Sequence, residues 1–392
     1  MQLTARQKQF IRTHENEDVR DLALRYSGED MPFLLSQIAG RQMAKHKIPS
    51  WYANDNIVYP AHISLEQASS EETARYKASL FSQQRNRLID LTGGLGVDFS
   101  FLAPDFREAV YVEQNPELCD LATNNFKELG LTNHTIINAA AEKALADCSY
   151  ADVIFLDPSR RDGVGRKVFR IEDCSPNVLE LKEQLLAKSD TILIKYSPML
   201  DISLAVKTLQ NVREVHVISV QNECKELLFL LSAEADECVY HAVNLKKNEK
   251  TESFSFRLKD EQLSDPAYAS RPEKYLYEPN ASLLKAGAFN VLATAFQVSK
   301  LHKNSHLYTS ERFIEDFPGR IFEVKEFFAP NKKNVRQFVA ETQKANISVR
   351  NFPTSVAEIR KQSGLKDGGD VYLFATTLAN EQKLWVVGVK LG

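Results

Sequence analysis

A chain of 392 residues, 43% hydrophobic and 26% charged, has the composition of a globular protein with room for roughly two to four domains. Its net charge of −3 excludes a uniformly basic nucleic-acid coat, and its five widely spaced cysteines, with no C-x-x-C pair, argue against a disulfide framework, a zinc knuckle or an iron–sulfur cluster. No apolar signal segment opens the chain, so we expect a cytoplasmic protein.

The first 80 residues are predicted to be helical. Apolar residues such as Phe10, Leu22 and Ile38 recur at helical intervals among charged ones. Further on, Ser69 or Ser70 can cap a helix, and a ligand contact is the alternative role for these serines. The sequence leaves both interpretations open.

A glycine cluster follows the first predicted strand. That strand contains Asp90, and Gly93, Gly94 and Gly96 come directly after it. Glycines let a chain turn sharply and let a ligand lie against the backbone. Glu113 closes the next predicted strand, about twenty residues on, where an acid binds ribose hydroxyls in doubly wound sheets. The pattern predicts a nucleoside-binding corner.

The ligand of this corner is not predicted to be a dinucleotide. The G-x-G-x-x-G spacing is absent, and Asp90 suits a ligand with a cationic amino-acid end, which a diphosphate does not have. S-adenosylmethionine (SAM) carries both a ribose and such an end, so we predict SAM as the cofactor. An ordinary strand–turn–helix corner is the alternative.

Strands and helices alternate from Leu88 onward, which predicts a parallel α/β sheet. The last two of its seven strands are separated only by Gln221–Lys225, too short for a crossover helix, so we expect an antiparallel hairpin, as in class I methyltransferase sheets. A second hairpin is expected at Cys238–Leu245 and Ser253–Leu258. The seven strands are predicted at Leu88–Leu91, Ala109–Glu113, Thr135–Asn138, Val153–Leu156, Thr191–Lys195, Glu214–Val220 and Glu226–Leu231.

A second motif follows the fourth strand. Asp157-Pro158 is a stiff acid–proline pair at a strand end, where ligands bind in such sheets. Arg160 and Arg161 come next and make the following loop basic, which suits contact with phosphates. The alternative is that Asp157 only caps a turn and that the arginines pair with nearby acids.

The C-terminal part is predicted to be a separate α+β region after a linker at 265–272. Its residues 320–366 hold ten Lys or Arg against four Glu, a local excess of six positive charges that fits a module for a phosphate backbone. Solvated helix faces are the alternative. His302 and His306 are spaced as on a solvated helix face, with no partner for a metal, and we predict no metal site.

Four stretches together resemble a bacterial family of class I SAM-dependent methyltransferases with C-terminal ferredoxin-like and THUMP-like domains. The stretches are Asp90–Asp98, Tyr111–Gln114, Phe155–Arg161 and Ile194–Asp201. The core is also similar to trimethylguanosine synthases. The resemblance implies an N-terminal helical domain at 1–80, a methyltransferase domain at 81–262 with a Rossmann-like sheet, a ferredoxin-like domain at 273–317 and a THUMP-like domain at 318–392. Through the THUMP-like domain it implies structured RNA, tRNA or rRNA, as the substrate.

The motifs and the resemblance together assign roles to individual residues. The cofactor-binding set is Ser69, Asp90, Thr92, Gly93, Gly94, Gly96, Val97, Asp98, Glu113, Gln114, Asn138 and Asp157. Asp157, Pro158 and Arg160 are the catalytic candidates. Contacts with RNA are expected from Arg161, Lys195, Tyr196, Lys332, Lys333, Arg336 and Arg350. The chain departs from the family pattern at Asn138, where an acid would hold the adenine amine, and after Pro158, where no aromatic residue follows.

The resulting prediction is a SAM-dependent transferase that methylates a base in structured RNA directly. Two alternatives belong to other classes: a non-catalytic RNA-binding or assembly protein that keeps the SAM fold, and a methyltransferase for protein or a small molecule. The sequence does not name the methylated atom.

Overall fold

The computed structural model describes residues 3–60, 65, 68–81, 85–159, 170–247 and 249–391. These residues belong to two compact units, Met1–Glu214 with Glu226–Asp236, and Val215–Lys225 with Glu237–Gly392. The finer division into four domains stays a prediction. Within the described residues, no helix combines the length and the apolar character needed to cross a membrane.

Three of the helices described at the start of the first unit are capped by local side chains. Thr4 and Asp18 accept backbone hydrogen bonds at the starts of the first two helices, and Ser70 accepts one from Thr73 N at the start of the fifth. Ser70 is therefore the cap, and Ser69 is not needed for it. The helices are α1 (Ala5–His14), α2 (Val19–Arg25), α3 (Met31–Lys47), α4 (Pro49–Tyr52) and α5 (Glu71–Ser79).

A sheet with crossover helices follows in the same unit. Its strands lie in the order β3-β2-β1-β4-β5-β7, and β7 runs antiparallel to β5 while the others are parallel. The strands of this order are β1 (Arg85–Asp90), β2 (Phe106–Glu113), β3 (His134–Asn138), β4 (Ala151–Leu156), β5 (Ser189–Tyr196) and β7 (Glu223–Leu231). In the chain, β6 (Val212–Val220) precedes β7. The helices are α6 (Val97–Leu102), α7 (Pro116–Glu128), α8 (Ala141–Asp147), α9 (Val178–Lys188) and α10 (Ile202–Leu209), with 3₁₀ turns at Ala103–Asp105 and Ile171–Asp173.

The N-terminal helices pack against the start of α6. Trp51, Ile57 and Tyr59 share one apolar core with Leu95 and Val97, which flank the last glycine of the cluster. The segment before α5 is also held by a side-chain amide of α7. Asn125 donates to Val58 O and accepts from Val58 N, at 2.8 and 2.9 Å, as a neighbouring strand would. This packing fixes the glycine turn from the outside.

The chain passes into the second unit within the hairpin of β6 and β7. Gln221 and Asn222 form its two-residue turn with φ of 51° and 64°, the left-handed conformations of a type I′ turn. Two further strands, β8 (Val239–Leu245) and β9 (Glu252–Arg257), follow in the order β6-β8-β9. The expected second hairpin is present as the antiparallel pair β8 and β9.

The rest of the second unit is one seven-stranded sheet with the order β11-β12-β10-β13-β16-β15-β14. Its strands are β10 (Tyr275–Pro279), β11 (Ser299–Lys300), β12 (Tyr308–Ser310), β13 (Gly319–Phe328), β14 (Asn346–Arg350), β15 (Val371–Thr377) and β16 (Lys383–Leu391). The helices are α11 (Leu258–Leu263), α12 (Ala281–Ala286), α13 (Asn290–Phe296), α14 (Lys332–Glu341) and α15 (Val356–Ser363).

Gly287, whose φ of 81° ends α12, separates this helix from α13. The two histidines of this unit differ from the sequence-based expectation. His302 and His306 lie between β11 and β12 and not on a helix. The prediction of a solvated helix face was wrong, because His302 is buried and its Nδ1 accepts from Asn304 N at 3.0 Å.

Candidate functional site

The polar residues predicted for the site lie at the carboxyl ends of neighbouring parallel strands. Asp90 and Glu113 end β1 and β2, and Asp157 directly follows β4. In the sheet register Asp90 pairs with Tyr111 on one side and with Phe155 on the other. The three acids therefore come together at one edge of the sheet, the edge where α/β sheets bind their ligands.

The glycine cluster is shaped by the aromatic residues beneath it. A Cβ on Gly93 would stand 2.1 Å from the Tyr111 ring, and one on Gly96 would stand 2.6 Å from the Phe126 ring. Gly94 differs, because a Cβ there would meet only Thr92 O, at 3.8 Å, although φ is 56°. Two of the glycines thus allow close packing, whereas the third presents backbone to open space.

Asp90 is a buried carboxyl group with an unmet hydrogen-bonding atom. Its side chain is 1% exposed, and Oδ1 accepts from Thr92 N at 2.9 Å. Its Oδ2 has no hydrogen-bond partner among the described residues. Burial raises the pKa of Asp90 well above its ordinary value, and the nearby carboxylates of Asp98, Asp157 and Glu113 raise it further. Such a group favours a cationic hydrogen-bond donor as its ligand.

Glu113 is fixed against the glycine turn by backbone donors. Gly94 N donates to Oε2 at 2.9 Å and Asn115 N donates to Oε1 at 2.8 Å. Asn138 supports the same region from β3, since its Nδ2 donates to the carbonyls of Glu113 and Gln114 at 2.9 and 3.0 Å. The Asn138 amide thus braces the backbone that carries the acid, and Gln114 is exposed beside it.

Asp157 is linked to both neighbouring strands. Its backbone N–H donates to Thr92 Oγ1 at 2.6 Å, and Lys195 Nζ lies 2.5 Å from Oδ2. The side chain is 37% exposed, whereas Pro158 is buried. Arg160 and Arg161 lie outside the described residues, so their predicted roles stay predictions. The acid that follows β4 is thus held firmly at a solvent-accessible position.

Lys195 and Tyr196 were predicted to contact RNA, and both are buried at the end of β5. Burial by itself would lower the pKa of Lys195, but Asp157 and Asp98 raise it well above its ordinary value. Tyr196 has a pKa raised by burial, and its hydroxyl has no hydrogen-bond partner among the described residues. The placement puts both side chains in the sheet edge itself, and contact with RNA stays a prediction for them.

A buried polar cluster, partly missed by the sequence reasoning, lies beside Asp157. Ser69 Oγ donates to Asp98 Oδ2 at 2.7 Å, and Lys195 Nζ lies 3.1 Å from Ser69 Oγ. The residues that were not predicted are Lys77 of α5 and its partner Glu226 of β7. A weak signal for Lys77 is its spacing of three residues from the buried Ala74, which places both on one helix face.

The remaining basic residues predicted for RNA, those of the C-terminal region, belong to the second unit. Lys332, Lys333 and Arg336 are exposed on α14, as a phosphate-binding face requires. Arg350 is different, because its Nη2 lies 2.9 Å from Oε1 of the buried Glu278. Arg320 pairs with the other oxygen of the same carboxylate. Arg350 is therefore part of an ion-pair cluster, while the α14 residues are open to solvent.

These features define the class of the protein. A parallel sheet in the order β3-β2-β1-β4-β5, the antiparallel β7, a glycine turn after β1 and acids at the ends of β1, β2 and β4 are the class I methyltransferase fold. The fold class predicted from the sequence is confirmed.

The comparison with solved structures identifies the family. A crystal structure from Porphyromonas gingivalis W83, provisionally described as that of a methyltransferase, is 32% identical, covers 100% of both chains and has a TM-score of 0.88. The chain belongs to the same family as that protein. Residues 275–318 match the model of a ferredoxin-like domain, and residues 319–389 match that of a THUMP domain-like family.

Other solved structures are similar over less than half of the chain. A SAM-dependent methyltransferase from Agrobacterium tumefaciens is 18% identical, with 45% of this chain and 66% of that one covered and a TM-score of 0.34. An rRNA methylase from Streptococcus thermophilus is 14% identical, with 41% and 93% covered and a TM-score of 0.31. No curated protein matches the chain.

Proposed function

We propose that the protein is a SAM-dependent methyltransferase that modifies a base in structured RNA, tRNA or rRNA, by direct methyl transfer. The observation that carries the proposal is Asp90, a buried carboxyl group whose Oδ2 has no hydrogen-bond partner among the described residues. The ammonium at the methionine end of SAM has the charge and the donors to meet this oxygen. Open space beside Gly94 lets the ligand lie against the backbone.

The residues around Asp90 fit the remaining parts of the cofactor. We assign Glu113, which accepts from Gly94 N at the turn, to the ribose hydroxyls. The turn is formed or flanked by further residues of the predicted cofactor set, namely Thr92, Gly93, Gly96 and Asp98. Val97, Gln114, Asn138 and Ser69 complete the predicted cofactor set. When bound, SAM supplies a methyl group on a positively charged sulfonium, which makes that methyl electrophilic.

The acceptor is assigned to Asp157 and Pro158. Lys195 holds Asp157 Oδ2, and we assign Oδ1 to an N–H of the base, so that the carboxylate orients the acceptor nitrogen. Most of the rate gain then comes from holding the acceptor in line with the methyl group, a positioning effect. Arg160 and Arg161 follow in the sequence and are assigned to the substrate side.

The RNA substrate is supported by the second unit. Its THUMP-like match suggests structured RNA, and Lys332, Lys333 and Arg336 expose three cations along α14. Phosphate contacts of this kind supply affinity without sequence preference. The methyltransferase fold would then select the base that is modified.

Calorimetric titration with SAM tests the cofactor assignment. We expect wild-type protein to bind SAM and Gly94→Arg to abolish binding, because the new side chain fills the space beside the turn. Gly130→Arg is the matched control, since Gly130 also has a positive φ, 76°, and open surroundings. It should bind SAM normally. A wild-type protein that does not bind SAM would overturn the proposal.

The substrate is tested by nucleoside mass spectrometry of tRNA and rRNA from a deletion strain. One methylated nucleoside should be lost and should return on complementation with the wild-type gene. An unchanged set of nucleosides would refute the RNA assignment while leaving SAM binding intact.

A further inference from the structure

A lysine from the N-terminal helices lies among the carboxylates of the sheet edge. Lys77 of α5 has an exposed fraction of 0%. Its Nζ is 3.2 Å from Asp98 Oδ1 and 2.5 Å from Glu226 Oε1. A buried ammonium is costly unless carboxylates surround it. Lys77 is therefore retained in the core by two acids of the methyltransferase fold.

Asp98 is shared between two lysines. Lys77 approaches its Oδ1, whereas Ser69 Oγ donates to Oδ2 at 2.7 Å and Lys195 Nζ lies 3.4 Å from the same oxygen. Burial by itself would raise the pKa of Asp98, but Lys77 and Lys195 lower it below its ordinary value. Asp98 is thus a carboxylate that attracts any ammonium within reach.

Lys195 is divided between Asp98 and Asp157. It lies 2.5 Å from Asp157 Oδ2 but 3.4 Å from Asp98 Oδ2. The buried groups are electrically neutral even when Asp157 is not counted, because the two positive charges of Lys77 and Lys195 equal the two negative charges of Asp98 and Glu226. Lys195 can lie closer to Asp157 since Lys77 already neutralises Asp98. Without Lys77, the carboxylate of Asp98 would have Lys195 as its remaining cation in this cluster.

We propose that Lys77 is a positioning residue for Asp157. Because Lys77 neutralises Asp98, the Lys195 ammonium stays within hydrogen-bond distance of Asp157. This contact fixes the carboxylate that, in the proposed function, orients the acceptor. The N-terminal helix α5 thereby becomes part of the working site. The effect on methyl transfer rests on the proposed function, whereas the effect on the Lys195–Asp157 contact does not.

The first test is structural and uses the full-length chain. In crystals of Lys77→Met we expect Lys195 Nζ to move onto Asp98 and to leave hydrogen-bond distance of Asp157. Glu226→Gln is the matched control, because it changes the other partner of Lys77 and leaves Asp98 neutralised. The Lys195–Asp157 contact should persist there. An unchanged contact in Lys77→Met would overturn the proposal.

The second test measures transfer of radiolabelled methyl from SAM to total tRNA and rRNA of a deletion strain. Lys77→Met should lower kcat on the order of 100-fold, the scale of a misplaced acceptor, while the Kd for SAM stays within about threefold. Glu226→Gln should keep kcat within about threefold of wild type. If both variants lose activity alike and in proportion to their loss of thermal stability, Lys77 has only a structural role and the proposal fails.

Lys77→Gln covers the case in which Lys77→Met does not fold. Its amide keeps a hydrogen-bond donor for Asp98 without the charge, and we expect the same movement of Lys195. If wild-type protein transfers no methyl group, the proposed function fails, and the crystal structures still decide the positioning role.

Discussion

The sheet edge of the first unit and helix α14 of the second place their charges in opposite ways. At the sheet edge, Asp98, Lys195 and Lys77 are buried and each has several partners at defined distances. On α14, Lys332 and Lys333 are exposed side chains on one helix turn. Buried, mutually paired charges fix geometry, whereas exposed ones supply long-range attraction that salt weakens. Under the proposed function, orientation of the acceptor would depend on the first unit and affinity for RNA on the second.

The largest expected effect comes from Asp157→Ala. Loss of the carboxylate that orients the acceptor should lower kcat on the order of 1,000-fold, with the Kd for SAM within about twofold. Rates of methyl transfer and calorimetry measure the two quantities. The control is Asp147→Ala, which removes an exposed acid at the end of α8 and should leave both kcat and the Kd for SAM unchanged. Full cellular function of Asp157→Ala would favour a non-catalytic RNA-binding protein, in which the sheet edge has no role in orienting an acceptor.

A smaller effect is expected from replacing Lys332, Lys333 and Arg336 together with alanine. RNA affinity should fall on the order of 100-fold at physiological salt, and the slope of log K against log salt should flatten by about two. Filter binding over a salt series measures both. A triple alanine variant of the exposed lysines Lys127, Lys143 and Lys207 removes the same charge from the first unit and should change little. A salt-independent affinity in wild type would instead favour a protein or small-molecule substrate.

The smallest effect is expected from Asp90→Asn, which changes the residue proposed to bind the methionine end of SAM. Burial raises the pKa of Asp90, so the carboxyl group of the free protein is protonated at low pH and ionises as pH rises through the raised value. SAM binding should tighten over that rise, because the ammonium needs the carboxylate. Asp90→Asn should weaken binding about tenfold at neutral pH and remove this dependence. Calorimetry at a series of pH values tests both.

The same shift has a consequence for stability. A carboxyl group whose pKa is raised by folding contributes stability below its ordinary value, and that contribution is lost as pH rises toward the raised one. The unliganded Asp90→Asn protein should therefore unfold at a higher temperature than wild type at neutral pH. Equal melting temperatures across the pH range would contradict the pKa assigned to Asp90.

The strand-end acids could be predicted from sequence because their signals are local. Asp90 and Glu113 are each read from one strand and the turn beside it, and Asp157 from a strand followed by proline. Lys77 and Glu226 could not be predicted in this way, because their contact joins residues 149 positions apart. The spacing of Lys77 from the buried Ala74 is only a weak signal, and it does not name the carboxylates that Lys77 contacts.

Two predicted residues have protein partners that the sequence does not show. Lys195 was predicted as a substrate contact because it ends a strand beside the motif, and its side chain lies beside two carboxylates. Asn138 stands where the family has an acid for the adenine amine, and its Nδ2 donates to two backbone carbonyls. The roles of both residues stay predictions. The sequence can predict that a polar residue lies at the end of a strand. Its contacts depend on neighbouring side chains that the local sequence does not show.

The contact between Lys77 and Glu226 also bears on the order in which the site is completed during translation. Strand β7, which carries Glu226, is the last strand of the first unit to be synthesised. At roughly 5 to 20 residues per second, the 149 residues that follow Lys77, up to and including Glu226, take about 7 to 30 seconds to translate. During that interval the nascent chain contains Lys77 and Asp98 but only one of the two acids that allow Lys77 to be buried. The contact of Lys77 with its second acid can therefore form only after β7 has been synthesised.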